Sequence, residues 1–520
     1  MGAAPNLSTA DQQASFTERL VDLLLHFPAE RISDRAVQVA LRCIEDTVGV
    51  SIAAAALGTA TAGAVIAPDV DGGATLWGFG RRSSAEAATL ANGMLAHGLD
   101  FDDTHPAAIM HASAVNVPIA IALGEELNTT PAELLAALVL SYEVSARLGR
   151  LGAGPFQDRG FQSTAVLGIF AATFLAGRLY RADRETVINA LGIAGSMASG
   201  LMEYLADGSN TKQLHAGWAA QSGLQAFKLA AAGLTGPRTV LEGRFGVFRA
   251  HAGISINPDE SLQPIKDRFE VELMAPKPYP ACLCVHAVVE AALDLRRRGI
   301  LASDRMQEIE TIECEVPDWY VNLVFEPVAL KAAPLTVYDG RFSAAFCLAR
   351  AVLDGKLGIQ SFGPEKLHDP LMREIAGKVT YRARTFPEFP ASFPALVRAH
   401  LNDDAVHESF VPHNLGSAAA PFTAPDVESK FRENVEFAIG KESADRLHEA
   451  IVNLTKEKNI DRLRTALVDA RINLKTTKTE EKPEEESHVT KDDSRGGNRR
   501  SGGASHGSGI SAVSAESHRH

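Results

Sequence analysis

Ala96-His97-Gly98-Leu99-Asp100-Phe101-Asp102-Asp103-Thr104-His105-Pro106, running on to His111, is the stretch from which this chain is best read. Its sixteen positions carry three carboxylates and three imidazoles, in a sequence otherwise rich in Ala, Leu, Val and Gly. The residues before it, Ser84 to His97, place small apolar side chains at helical spacing and predict a buried helix. Pro106 cannot continue a helix. The charged groups therefore collect where an apolar helix breaks into a loop. Carboxylates held beside imidazoles shift one another's proton affinity, a common route to an acid–base site. The plainer alternative is a solvated loop with incidental charges.

The 520-residue chain is 46% hydrophobic and 22% charged, ordinary for a soluble globular protein and long enough for more than one domain. A net charge of −13 argues against nucleic acid as a partner. It also means that an anionic substrate needs a local cationic pocket. The cysteines, Cys43, Cys282, Cys284, Cys314 and Cys347, show no C-x-x-C or zinc spacing. A disulfide framework is not expected, and a reducing, cytoplasmic setting is. The first residues have neither transit-peptide arginines nor a signal-peptide core. The apolar runs at 48–57 and 163–176 fall short of the about 20 residues that span a bilayer, so no membrane partner is expected.

Working outward, helices are expected at 15–28, at 35–57 capped by Asp34, and from Thr130-Pro131-Ala132-Glu133, a capping box with proline in the first turn. More follow at 164–180, 184–201 and 215–232. Near residue 270 the pattern changes. Ile309–Val316 and 378–384 alternate with period two and read as strands; 394–401 and 405–411 read as a hairpin across Asn402-Asp403-Asp404. Helices at 285–298 and 342–353 lie between. Residues 425–472 return to helix, with Asp426 as a cap. The expected organisation is an N-terminal extension (1–14), a large all-α domain (15–269 and 412–472), a smaller inserted α/β domain (270–411) and a disordered tail (473–520). From 475 on, eight basic and eight acidic residues balance, and apolar residues are too few to support a core.

Other places suit chemistry. Lys212 opens a helix, where its ammonium and the helix N-terminus together make a seat for a carboxylate; an ordinary surface lysine is the default. Lys277-Pro278-Tyr279-Pro280 leads through Cys282-Leu283-Cys284 to His286 at a helix start. Trp319-Tyr320 follows a strand, and Arg341-Phe342-Ser343 opens a helix.

Taken together these segments resemble the 2-methylcitrate dehydratase / cis-aconitate decarboxylase family, MmgE/PrpD, over roughly residues 15–470. The resemblance is carried by His97-Gly-Leu-Asp-Phe-Asp-Asp-Thr104 with His111, and by Lys212-Gln-Leu-His-Ala-Gly217. Gly233-Leu-Thr-Gly-Pro237 with Leu241-Glu-Gly243, Lys277-Pro-Tyr-Pro280 with His286, and Arg341-Phe-Ser343 complete it. It implies a helical domain with an inserted α/β lid, a cleft active site, a homodimer, and lyase chemistry on a polycarboxylate without metal or other cofactor. It places catalytic positions at Asp100, His111, Lys212, His286 and Tyr320, and substrate contacts at Thr104, Gln162, His215 and Lys277. In that scheme His111, oriented by Asp100, is the base or proton donor, and Lys212 holds a substrate carboxylate.

Two segments depart from the family pattern. Gln162 stands where His is usual, so that side chain cannot titrate. Leu283 and Val285 occupy a segment where many dehydratases carry Arg; losing a guanidinium removes a bidentate carboxylate partner and leaves room for an alkyl group. The leading expectation is dehydration of 2-methylcitrate or a longer 2-alkylcitrate, with decarboxylation of cis-aconitate to itaconate as the alternative. Two further readings are a metal site built on Asp102-Asp103-Thr104-His105 and a ligand-binding member without turnover.

Overall fold

The computed structural model describes residues 14–472; the extension up to residue 13 and the tail from 473 lie outside the described residues. The helix that delivers the charged loop runs Ala85–His97, with the Ser84 hydroxyl accepting from the Ala87 N–H at its start. It packs against the Lys212–Ala231, Ala112–Leu127 and Asp34–Ala56 helices. Lys212–Ala231 also packs on Ser163–Leu179 and Arg184–Met197, giving an all-helical layer around one apolar core. That core draws on residues 16–274 and returns at 431–470.

Small residues set the spacing of the helices that carry the site. A Cβ on Gly93 would lie 2.5 Å from the Gly217 Cα, and one on Gly217 would lie 2.2 Å from the Leu90 carbonyl oxygen. The backbones of Ala85–His97 and Lys212–Ala231 therefore touch, with His97 ending one and Lys212 opening the other. Gly93→Ala is expected to destabilise the protein by about 1–3 kcal/mol, the usual cost of overpacking. Thermal melting checks it; an unchanged Tm would mean that the crossing is looser than the contact implies.

A second apolar core is built from residues 281–401. Its sheet has the order Val379–Ala383, Ile309–Val316, Ala395–Leu401, Val406–Val411; the first pair is parallel and the other two are antiparallel. Ile312, Cys314 and Val316 turn one face inward, and Glu313 and Glu315 meet Arg382 and Arg398 on the other, as strand alternation requires. The helices His286–Arg297 and Ala344–Asp354 belong to the same core. The molecule is thus helical with a smaller α/β part. Among the described residues no helix is long and apolar enough to cross a membrane.

Several element boundaries differ from expectation. The second long helix is capped by Ser33, whose hydroxyl accepts from the Ala36 N–H, so Asp34 is its first residue. Thr423 precedes the Ala424–Ile439 helix, and the Asp426 carboxylate reaches back to its N–H at 2.8 Å; Asp426 is the third helical residue of a capping box. The helix expected from 215 begins at Lys212, and the one expected to reach 201 ends at Met197. The short hairpin Ala74–Leu76/Arg81–Ser83 and the π-turns Phe248–Ala252 and Val321–Phe325 had no sequence signal.

Candidate active site

The loop from Gly98 to His111 is held by its backbone. Three successive carbonyls each accept from a buried cation: Leu99 from Arg341 at 2.9 Å, Asp100 from Lys277 at 2.8 Å and Phe101 from Lys430 at 2.8 Å. These cations come from segments far apart in sequence. Lys430 is neutralised by Asp46 at 2.7 Å, and Arg341 also donates to the Pro280 carbonyl at 2.6 Å. Thr104 exchanges backbone hydrogen bonds with Ala275 at 2.9 and 2.8 Å. Asp100 and Ile109 both sit at φ +50°. That conformation is uncommon for a residue other than glycine and is an outlier for a β-branched one, so the loop is bent at both ends by its surroundings.

Held this way, the loop forms one wall of a cavity of about 420 Å³. Asp100, Thr104, His111, Gln162, Lys212 and Lys277 all line it. Lys212 pairs with Asp100 Oδ1, and Lys277 Nζ stands 3.3 Å from the same oxygen. The carboxylate expected at the Lys212 helix start is therefore the protein's own. One carboxylate faces two ammonium groups, which leaves surplus positive charge at the cavity floor.

His111 precedes the Ala112–Leu127 helix, with its N–H donating to Thr164 Oγ1 at 2.9 Å. Its Nδ1 lies 3.1 Å from the Asp103 carbonyl oxygen and 3.4 Å from Asp102 Oδ2. Both are acceptors, so Nδ1 carries the hydrogen and Nε2 keeps the lone pair. A second chain runs behind it. His215 Nδ1 donates to Gln162 Oε1 at 2.7 Å, the Gln162 amide donates to His97 Nε2 at 3.1 Å, and His97 Nδ1 donates to Asp102 Oδ2 at 2.8 Å. Gln162 thus fixes the tautomers of two imidazoles at once.

The electrostatics follow from burial against charge. Burial works against ionised Asp100, but Lys212, Lys277 and His111 outweigh it and hold the carboxyl well below its usual range. Asp102 behaves alike, with His97 and His111 overcoming burial. Burial lowers His111 to about 3 against the opposing pull of Asp102, with the two lysines adding to the fall, so its imidazole is neutral at neutral pH. Burial and the nearby Asp46 push Asp103 up to about 7, against the Ser113 hydrogen bond.

The other expected site residues lie elsewhere. His215 is one hydrogen bond behind the cavity, through Gln162. His286 is fully buried, with Nε2 3.1 Å from the Ala281 carbonyl oxygen. Tyr320 is fully buried and stacked on Phe393. Neither is among the residues lining the cavity. Sequence reasoning gave no individual role to His97, Asp102 or Arg341, although it marked their segments, and passed over Lys430. The first two were visible in the opening stretch. Lys430 could have been noticed as a lysine on the face of its helix that buries Val427, Phe431 and Asn434.

His97, Asp102 and His111 bring one ligand atom each to within 4.8 Å of one another. A cation there would have to displace the hydrogen between His97 and Asp102 and sit beside Lys212 and Lys277, which repel it. This trio differs from the metal reading of Asp102 to His105, in which Asp103 instead bonds Ser113 and His105 bonds Glu270 at 3.1 Å.

Gln162→Leu is expected to leave His97 Nε2 and His215 Nδ1 without partners and to lower kcat/KM by about tenfold, the kinetic counterpart of about 1.4 kcal/mol. Steady-state kinetics check it; a loss as large as that of a His111 variant would make Gln162 the primary group.

Comparison with known proteins identifies the family. The MmgE/PrpD N-terminal domain model matches residues 18–257, and the MmgE/PrpD C-terminal domain model matches 279–456. The chain is 29% identical to cis-aconitate decarboxylase of Homo sapiens over 477 residues, covering 87% of this chain and 94% of that protein. It is 27% identical to cis-aconitate decarboxylase of Mus musculus over 83% of this chain and 89% of that one. A cis-aconitate decarboxylase of Aspergillus terreus is 26% identical over 58% and 64%. With the two family models spanning most of its length, the chain belongs to the MmgE/PrpD family.

Proposed function

We propose that this chain is a cofactor-independent lyase for citrate-like tricarboxylic acids and that it decarboxylates a cis-aconitate-type substrate. The observation that carries the reading is His111 on the cavity wall, its Nδ1 turned inward, beside two ammonium groups that share one carboxylate. Substrate carboxylates take up the surplus positive charge of Lys212 and Lys277. They also favour the imidazolium form of His111, reversing the effect of burial. Loss of carbon dioxide leaves an electron pair delocalised toward a neighbouring carboxylate, and His111 protonates the carbon. The near end-to-end match to two decarboxylases supports this direction.

Dehydration of 2-methylcitrate or a longer 2-alkylcitrate is the second reading. It is favoured by the neutral imidazole of His111, suited to removing an α-proton. It is also favoured by an apolar wall of Met202, Leu283, Leu323, Phe342 and Phe393 that would take an alkyl group. Incubation with cis-aconitate, citrate, 2-methylcitrate and longer alkylcitrates, followed by mass spectrometry, separates the two: loss of carbon dioxide against loss of water. No loss from any of them would overturn both. Chelators are expected to leave turnover unchanged; activity lost with EDTA and restored by a divalent cation would contradict the proton-transfer scheme.

Two structural expectations belong to this reading. Segregation of the apolar cores into residues 16–274 with 431–470 and residues 281–401 supports an inserted α/β domain near 270–411. Leu214 and Trp218, exposed one turn apart on the Lys212–Ala231 helix, support a homodimer.

A further inference from the structure

Tyr204 has no part in the proposed proton transfer, yet it lines the catalytic cavity, the one tyrosine of seven to do so. It opens a one-turn helix, Tyr204–Asp207, in a segment tied down on both sides. The Gly160 carbonyl accepts from the Met202 N–H at 2.8 Å, and the Gly208 carbonyl accepts from the Thr336 hydroxyl at 3.1 Å. The ring stands edge-on to His215, centroids 5.9 Å apart, and packs on Phe342 at 6.2 Å. Lys212 Nζ lies 4.9 Å from the centre of the same Phe342 ring. The phenol and the ammonium therefore pack on one aromatic ring of the cavity wall. The Tyr320 and Tyr338 hydroxyls are sealed in the interior without partners, and the Tyr204 hydroxyl is not among such atoms. It also makes no hydrogen bond among the described residues, so its proton is unspent and open to the cavity it lines. Burial raises the phenol to about 12, with Lys212 pulling against the rise and Asp100 adding to it, so the group keeps its proton at neutral pH and donates.

We propose that Tyr204 is a substrate-binding residue whose hydroxyl donates a hydrogen bond to a carboxylate of the bound acid, beside the carboxylate taken by Lys212 and Lys277. The proposal rests on the tricarboxylate reading of the site. Two ammonium groups against the one carboxylate of Asp100 leave one net positive charge, which answers one substrate carboxylate. A tricarboxylate brings more, and a further carboxylate must find a donor or be desolvated without one. Gln162 cannot serve, because both ends of its amide are engaged, with His97 and with His215. The Tyr204 hydroxyl is on the same wall as Lys212 and is engaged by nothing. Its ring is already packed, so presenting the proton costs little further ordering.

The test is titration calorimetry of the full chain with tricarballylate. This saturated tricarboxylate has neither the double bond of cis-aconitate nor the hydroxyl of citrate, so it is bound without turnover. Tyr204→Phe keeps the ring and removes the donor. It is expected to weaken tricarballylate binding by about tenfold, the usual worth of a hydrogen bond to a charged group. Its Tm without ligand is expected to match wild type, because no hydrogen bond within the protein is lost. Tyr338→Phe removes a sealed hydroxyl beside the same Phe342 ring and is expected to bind like wild type. With cis-aconitate, Tyr204→Phe raises KM and changes kcat little, the mark of a contact made equally in ground state and transition state. A Tyr204→Phe protein that binds tricarballylate like wild type overturns the proposal and leaves the tricarboxylate reading standing, since wild-type binding is measured alongside. A wild-type protein that binds no tricarboxylate overturns both. Weaker binding with a matching loss of Tm, or the same loss of binding in Tyr338→Phe, makes the hydroxyl a structural group and overturns the proposal as well.

Discussion

Replacing His111 with asparagine is expected to lower turnover by roughly 10²–10⁴-fold, the usual worth of a positioned general acid or base. The amide can still donate to the Asp103 carbonyl oxygen, which now accepts from Nδ1, so the loop geometry is kept while proton transfer is lost. KM should move much less, because Lys212 and Lys277 remain paired about Asp100. The sign of the pH dependence also follows. His111 is held near 3, and kcat/KM reports the free enzyme. A base role keeps kcat/KM flat through neutral pH and lets it fall only in strong acid. A donor role makes it fall as pH rises. Turnover within about threefold of wild type, under 1 kcal/mol, would place the chemistry elsewhere in the cavity.

Lys212→Ala is expected to be comparably severe for a different reason. It leaves Asp100, 1% exposed, with Lys277 at 3.3 Å as its remaining side-chain ion pair. Removing one partner of a buried pair costs roughly 3–5 kcal/mol, part in stability and part in substrate binding. The double variant Lys212→Ala/Asp100→Ala removes both charges, so it should regain much of the lost Tm and none of the lost turnover. The Asp100 carboxyl is depressed in the folded state. Its contribution is therefore complete above the unfolded carboxylate value of about 3.9 and is lost as pH falls through the folded value. The Tm difference between wild type and Lys212→Ala should be full at neutral pH and shrink in acid. A Lys212→Ala protein with wild-type Tm and turnover would show that the Lys212–Asp100 pair carries neither stability nor catalysis.

Local signals in the sequence carried much of the fold. Thr130-Pro131-Ala132-Glu133 opens its helix as a capping box, because the groups involved lie within three residues. The hairpin Ala395–Leu401/Val406–Val411 follows from alternation around a polar turn. Where two capping residues stood close together, the sequence did not separate them: Ser33 and Asp34 compete for one role, as do Thr423 and Asp426. In the site, the opening stretch gathered the right groups but not their pairing. That Asp102, rather than Asp100, meets His97 and His111 depends on a backbone bend at Asp100 that no side-chain pattern encodes. The link from His215 through Gln162 to His97 joins three segments, 53 and 65 residues apart. The cations on carbonyls 99–101 come from up to 329 residues away. Such long-range pairs leave at most a trace in sequence, such as a lysine on a buried helix face.

The most direct measurement is turnover of cis-aconitate in D₂O, followed by NMR and mass spectrometry on wild type and His111→Asn together. Metal-free decarboxylation with protonation from His111 predicts one deuteron in the product for each carbon dioxide released, unaffected by EDTA, with both signals falling together in the variant. Absence of carbon dioxide release from the wild-type protein, or an undiminished rate in His111→Asn, would contradict it.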